Sequence, residues 1–219
     1  TLDLEKKTVD GIVTTEIKPL TDDFSSFKVD AVGMQIKSVK GWYLVHTNNP
    51  ELAEQYEDLK YDYDNKEITV YPKYSLSRKF PYKYRVEYTT TDPEKGLYFI
   101  SPSPTFPNKP LQVWSQGEGE DNRYWIPCYD YPNDMATSEM YVTISSKYRT
   151  LSNCVLESRK ENSDGTSTWH WVSKKPYSSY LIMLGAGNWD EIADVWDGIP
   201  VSSYVTHGKK EWGERSYRQ

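Results

Sequence analysis

Along most of this chain apolar and polar residues alternate with a period of two. Val9, Gly11, Val13, Thr15 and Ile17 share one phase, Tyr84, Val86 and Tyr88 another, and Met140, Val142 and Ile144 a third. A strand sends successive side chains to opposite faces, so runs of this kind describe half-buried strands. Aromatic residues fill much of the apolar phase: 8 Trp, 19 Tyr and 5 Phe make 15% of the chain, against 4 Met. Such rings favour strands and can hold an apolar body inward while a polar tip reaches water or a partner.

The remaining segments continue the pattern. Phe27, Val29 and Ala31 are in phase, and the phase slips at Val32, Met34 and Ile36, which predicts two strands or one kinked strand. Leu59, Tyr61 and Tyr63 run into Asp64-Asn65-Lys66 and return through Ile68 and Val70, a hairpin signal. A second hairpin is predicted where Tyr84 to Tyr88 meet the loop Asp92-Pro93-Glu94-Lys95-Gly96 and return through Leu97 and Phe99. Residues 155–159 lead to the turn Asn162-Ser163-Asp164-Gly165, residues 168–172 return, and residues 180–184 form a continuous apolar run. Two windows favour a turn of helix: Asn49-Pro50-Glu51 with Leu52, Tyr56 and Leu59 behind it, and residues 189–196, where Ile192 and Trp196 lie four apart. About a dozen strands with turn residues between them make the expected fold all-β, an antiparallel β-sandwich or a saddle-shaped curved sheet with little helix. Residues 101–110, with Pro102, Pro104, Pro107 and Pro110, read as an ordered extended loop and not as a linker, so one domain is expected.

A chain of 219 residues can bury a sizeable core without a staple, so Cys128 and Cys154 could form one bridge or none. Lys and Arg total 26 and Asp and Glu total 32, a net charge of −6, which argues against a nucleic-acid partner. No apolar stretch approaches the roughly 20 residues that span a bilayer. The expectation is a soluble protein whose compartment, cytoplasmic or periplasmic or secreted, stays open. The chain opens at Thr1 in strand-like residues, which reads as the start of a piece of something longer.

Chemistry is sparse. His46, His170 and His207 lie far apart, and none belongs to H-E-x-x-H, the pair that binds zinc with a general base beside it. His170, between Trp169 and Trp171, reads as a sheet-face residue. There is no G-x-S-x-G elbow and no phosphate loop, and Cys128 reads as a buried structural thiol. The densest stretch runs from Trp114 to Pro132. Gly117 and Gly119 flank Glu118, and Glu118, Glu120 and Asp121 are close together, which reads either as a cation-binding surface or as a solvated acidic loop. Arg123 and Asp130 read as a charge pair fixing this loop, because the guanidinium fork suits a carboxylate.

Ser115-Gln116-x-Glu118, then Asp121-x-Arg123, then Ile126-Pro127-Cys128-x-Asp130-x-Pro132, resembles the N-terminal β domain of the aminopeptidase N and leukotriene hydrolase family of zinc metallopeptidases. Tyr141-Val142-Thr143-Ile144 and Leu151-Ser152-Asn153 extend the likeness. The resemblance implies that residues 1–205 form a saddle-like domain forming one edge of an active-site cleft. Residues 206–219 then lead to a catalytic domain lying outside this chain. It implies that Glu118, with Gln116 as a weaker contributor, contacts the free amino terminus of a peptide. Arg123, Asp130 and Cys128 keep structural roles. No catalytic residue, metal ligand or cofactor is assigned to this chain itself; the family's zinc belongs to the following domain, whose motifs are not in this sequence. By this likeness, Gly117 and Gly119 stand where bulkier residues are usual, which predicts a looser loop.

Two other readings remain beside it. One is a noncatalytic β-sandwich module whose exposed Trp and Tyr stack on sugar rings or a protein ligand. The other is a stand-alone relative that retains the fold as a protein-interaction domain.

Overall fold

A computed structural model describes residues 1–43 and 56–217. The described chain is all-β apart from one helix and two 3₁₀ turns. Its strands are β1 (Leu2–Asp3), β2 (Thr8–Ile17), β3 (Phe27–Asp30), β4 (Gln35–Tyr43), β5 (Glu57–Asp58), β6 (Lys60–Tyr63), β7 (Glu67–Tyr71), β8 (Tyr82–Thr91) and β9 (Gly96–Ile100). There follow β10 (Gln112–Gln116), β11 (Ala136–Ser145), β12 (Arg149–Leu151), β13 (Val155–Glu161), β14 (Thr166–Tyr177), β15 (Gly185–Gly187), β16 (Trp189–Trp196), β17 (Ile199–Thr206) and the helix α1 (Lys210–Tyr217). The strands pair antiparallel in open sheets, none closed into a barrel.

Two cores divide the molecule. The first lies between the sheet β1-β2-β8-β4-β5 and the sheet β3-β7-β6. The inward phase of β8, Tyr82, Tyr84, Val86 and Tyr88, meets Phe27, Val29, Ile68 and Val70 there. The Phe27 ring centroid lies 4.8 Å from that of Tyr84. The second core lies between β12-β15-β10-β9 and β11-β14-β13. Val113, Leu97, Val142, Ile144, Trp169 and Trp171 fill it. Both buried indoles find acceptors, Trp169 Nε1 donating to Ser167 Oγ and Trp171 Nε1 to Thr150 Oγ1, each at 3.0 Å, as burial of an N–H requires.

Several sequence expectations are corrected. Tyr84–Tyr88 and Leu97–Phe99 do not form a hairpin: β8 is already paired on both edges, with β2 and β4, so β9 leaves that sheet and pairs β10. Trp189–Trp196 is a strand and not a turn of helix. A four-residue apolar spacing satisfies both periods, and Asp197 and Gly198, with φ of 49° and 76°, form the two-residue turn that folds β16 onto β17. The apolar run of residues 180–184 is not one regular element: Tyr180 and Leu181 belong to a 3₁₀ turn at Ser179–Leu181, and the run then leads into β15. Residues 206–219, expected as a passage to a further domain, contain α1, which buries only Gly213, against Ile192 and Val205. The phase slip after Ala31 separates two strands in different sheets, with Gly33 turning at φ 65°. The predicted helix start at Asn49-Pro50-Glu51 lies outside the described residues, as does His46. Cys128 and Cys154 are both free thiols.

Candidate functional site

The segment of highest residue-level interest leaves the edge of the second core. β10 pairs β9 with Gln112 opposite Ile100, Trp114 opposite Tyr98 and Gln116 opposite Gly96, so these residues share one face, with Val113 on the core side. Trp114 is exposed, its ring centroid 4.9 Å from that of Tyr98. At Gln116 the ladder ends and the chain turns. Gly117 is buried, and a Cβ there would lie 2.5 Å from Asn122 Nδ2, so only glycine fits. Gly119, at φ 89° with open space around it, completes the turn. The Glu118 N–H donates to Gln116 Oε1 at 2.9 Å, and the Asp121 N–H donates to Gly117 O at 3.3 Å. Glu118 therefore stands exposed on the turn, and among the described residues nothing hydrogen-bonds or ion-pairs its carboxylate.

The turn is anchored by a buried polar network. Arg123, in the 3₁₀ turn Asn122–Tyr124, reaches Glu120 Oε2 at 2.7 Å, Asp30 Oδ1 at 3.2 Å and, through Nε, Asp130 Oδ2 at 3.5 Å. Asp130 is 1% exposed; it accepts from the Arg123 N–H at 2.9 Å and from Ser179 Oγ at 2.9 Å. Its own N–H donates to Asp30 Oδ2 at 3.0 Å. Asp30 and Cys128 exchange backbone hydrogen bonds of 3.0 and 2.8 Å. Tyr88 Oη donates to Trp125 O at 2.7 Å. One arginine thus ties the last residue of β3, in the first core, to the loop of the second. Burial pushes the Asp30 carboxyl above its ordinary range, opposed by the Asp130 N–H and Arg123. Burial pulls the Arg123 guanidinium down, but Asp30 and the other surrounding groups outweigh it and hold it above its usual value. Burial, reinforced by Asp130 and Asp30, drives the Cys128 thiol well above its ordinary range, which disfavours a reactive thiolate.

Glu118 and Gln116 therefore share one turn, with Gln116 Oε1 committed to holding Glu118. Arg123 and Asp130 meet beneath it, and Cys128 contributes its backbone to the same joint. Three residues escaped the sequence reading: Asn122, Asp30 and Ser179. An acid closing an apolar strand was the available signal for Asp30; nothing local marked the other two. His170 stacks on Tyr141 at 4.1 Å and meets Glu139 Oε1 at 2.6 Å, on the face of its sheet opposite the buried Trp169 and Trp171. Among the described residues no group of three or more His, Cys, Asp or Glu is arranged to hold a metal ion, and no helix is long and apolar enough to cross a membrane.

The family model described as the peptidase M1 N-terminal domain matches residues 1–181. The probable aminopeptidase 1 of Saccharolobus solfataricus is 24% identical over 175 residues, covering 80% of this chain and 20% of that protein. The probable aminopeptidase 1 of Sulfurisphaera tokodaii is 24% identical over 213 residues, covering 97% of this chain and 24% of that protein. Among solved structures, an M1 zinc metallopeptidase mutant from Deinococcus radiodurans, bound to a Tyr-Ser-Ala substrate, superposes with a TM-score of 0.70 at 18% identity. That match covers 93% of this chain and 44% of that one. The chain thus spans a fifth to a quarter of the length of these two relatives.

Proposed function

Because the chain belongs to the peptidase M1 N-terminal domain family, we propose that it is the substrate-edge domain of a longer zinc aminopeptidase in which Glu118 grips the free amino terminus of a peptide. The observation that supports this most directly is the Glu118 carboxylate itself: exposed, unpartnered among the described residues, and presented by a turn locked to a sheet edge. A carboxylate facing a primary ammonium gains charge-assisted hydrogen bonds, and an acylated terminus offers no such cation, so the contact selects exopeptidase substrates. Holding the amino end at a fixed distance from the cutting machinery also counts off one residue. Gln116 supports the grip indirectly, because its side-chain carbonyl fixes the Glu118 amide.

The residues of this chain do not fit a zinc site, having no H-E-x-x-H and no clustered donors among the described residues. The metal and the residues that cut would come from the catalytic domain that this domain abuts. Residues 1–205 are the proposed domain, and residues 206–219 begin the passage to that partner.

Replacing Glu118 by Ala in the full-length protein tests the reading. The expected outcome is a KM for an aminoacyl reporter raised by about tenfold or more, the loss of one charge-assisted contact, with kcat less affected. Discrimination against N-acetylated peptides should weaken in parallel. Kinetics unchanged from the parent would remove Glu118 from the site.

A further inference from the structure

The glycines beside Glu118 read in sequence as a source of looseness, yet the packing at Gly117 is tight. A methyl group there would lie 2.5 Å from Asn122 Nδ2 and 2.6 Å from its Cγ and Oδ1. Asn122 has no room to retreat, being 0% exposed. Both ends of its amide are engaged: Oδ1 accepts from Trp125 Nε1 at 2.8 Å, and Nδ2 donates to Ser179 O at 2.6 Å. An indole N–H only donates and a backbone carbonyl only accepts, so the orientation of this amide is fixed. Ser179 Oγ in turn donates to Asp130, which accepts the Arg123 N–H at the far side of the turn. The Asn122 amide is the floor on which Gly117 rests, and Glu118 is the next residue.

We infer that Asn122 is a positioning residue that acts through Gly117, so recognition of a free amino terminus depends on a matched glycine–asparagine pair as well as on Glu118. This rests on the reading of Glu118 as the amine anchor. Carbon atoms in contact settle at about 3.5–4.0 Å. A methyl at Gly117 must therefore drive the turn outward by about 1 Å, enough to take a carboxylate out of the roughly 2.7–2.9 Å range of a charge-assisted hydrogen bond.

The test uses the full-length protein with Gly117→Ala, Asn122→Ala, the two combined, and Glu118→Ala, each assayed on an aminoacyl reporter. Gly117→Ala is expected to raise KM about tenfold with kcat within about twofold. Adding Asn122→Ala should recover most of that loss, because removing the amide vacates the space that the methyl needs. Independent structural damage predicts the opposite, two losses that add. A double variant no better than Gly117→Ala, or a Gly117→Ala variant with unchanged KM, overturns the inference. If Glu118→Ala leaves KM unmoved, the anchor assignment itself fails. If Glu118→Ala raises KM and Gly117→Ala does not, only the role of Asn122 is lost. Should Asn122→Ala not fold, Asn122→Ser takes its place, being smaller and retaining a hydroxyl for Trp125, and the same rescue decides the matter.

Discussion

Asp130 carries an unusual share of the joint beneath Glu118. Its carboxylate satisfies the Arg123 N–H and Ser179 Oγ, lies against the Arg123 guanidinium, and is closed to solvent. Asp130→Ala strands the donors and leaves a guanidinium short of one counter-ion, so it should cost about 3–5 kcal/mol in denaturant unfolding. Asp130→Asn, which retains the shape and one acceptor oxygen, should cost less, and equal losses would show that charge rather than shape holds the loop. The Arg123–Asp130 pairing was legible because both residues fall in one short stretch with a recognisable spacing. Asp30 was not, since its contact with Asp130 joins residues 100 apart in sequence and leaves no local pattern. Asn122 was hidden for another reason. A buried asparagine and an exposed one look alike in sequence, and only the close approach of Gly117 shows which this is.

The hairpin β16–β17 shows where period-based reading stops. Apolar residues at Ile192 and Trp196 fit helix or strand, whereas Asp197-Gly198 was a turn signal specific enough to have decided it. Its distal half is exposed, with Val195 at 65% and Trp196 at 71%, so it meets the rest of the fold through its proximal half, where Ile192 is buried and Trp189 Nε1 donates to Gln112 Oε1 at 3.1 Å. Glu191 adds one polar tie to the rest of the fold by pairing with Arg149 of β12, and within the hairpin it accepts from Ser202 at 2.8 Å and Tyr204 at 3.2 Å of β17. The hydrogen bond from Arg149, then that from Ser202, holds its carboxyl below the ordinary glutamate range. A depressed folded pKa contributes stability that is present above the unfolded value, near 4.3, and is lost as pH falls through the folded one. The gap between the parent and Glu191→Gln should therefore be about 1 kcal/mol or less at pH 7 for so solvated a pair, and close below about pH 4. Urea unfolding across that range measures it, and a gap that widens on acidification would contradict the assignment. α1 escaped prediction because its polar surface and central Gly213 suppress both periodicity and propensity.

Two sandwiched cores, joined at Arg123 by acids from both sides, make the Glu118 turn part of a stiff frame rather than an appendage. In the proposed reading the chain supplies a surface that binds and orients, and the motif that cuts lies on another domain. On its own it should cleave no aminoacyl reporter and retain no stoichiometric zinc after dialysis, activity returning only with the longer polypeptide. Turnover by the 219-residue chain would overturn the division of labour. Strand character over most of the chain, the hairpin of residues 59–70, its turn residues and the pairing of Arg123 with Asp130 were determined by the sequence alone, because periodicity, turn chemistry and motif spacing are all local. Tertiary structure alone decided that β9 abandons β8, that Asp30 serves Arg123, and that Gly117 and Asn122 fit each other. Each of these depends on which sheet edges and which volumes are already occupied, a property of the packed chain and not of any segment within it.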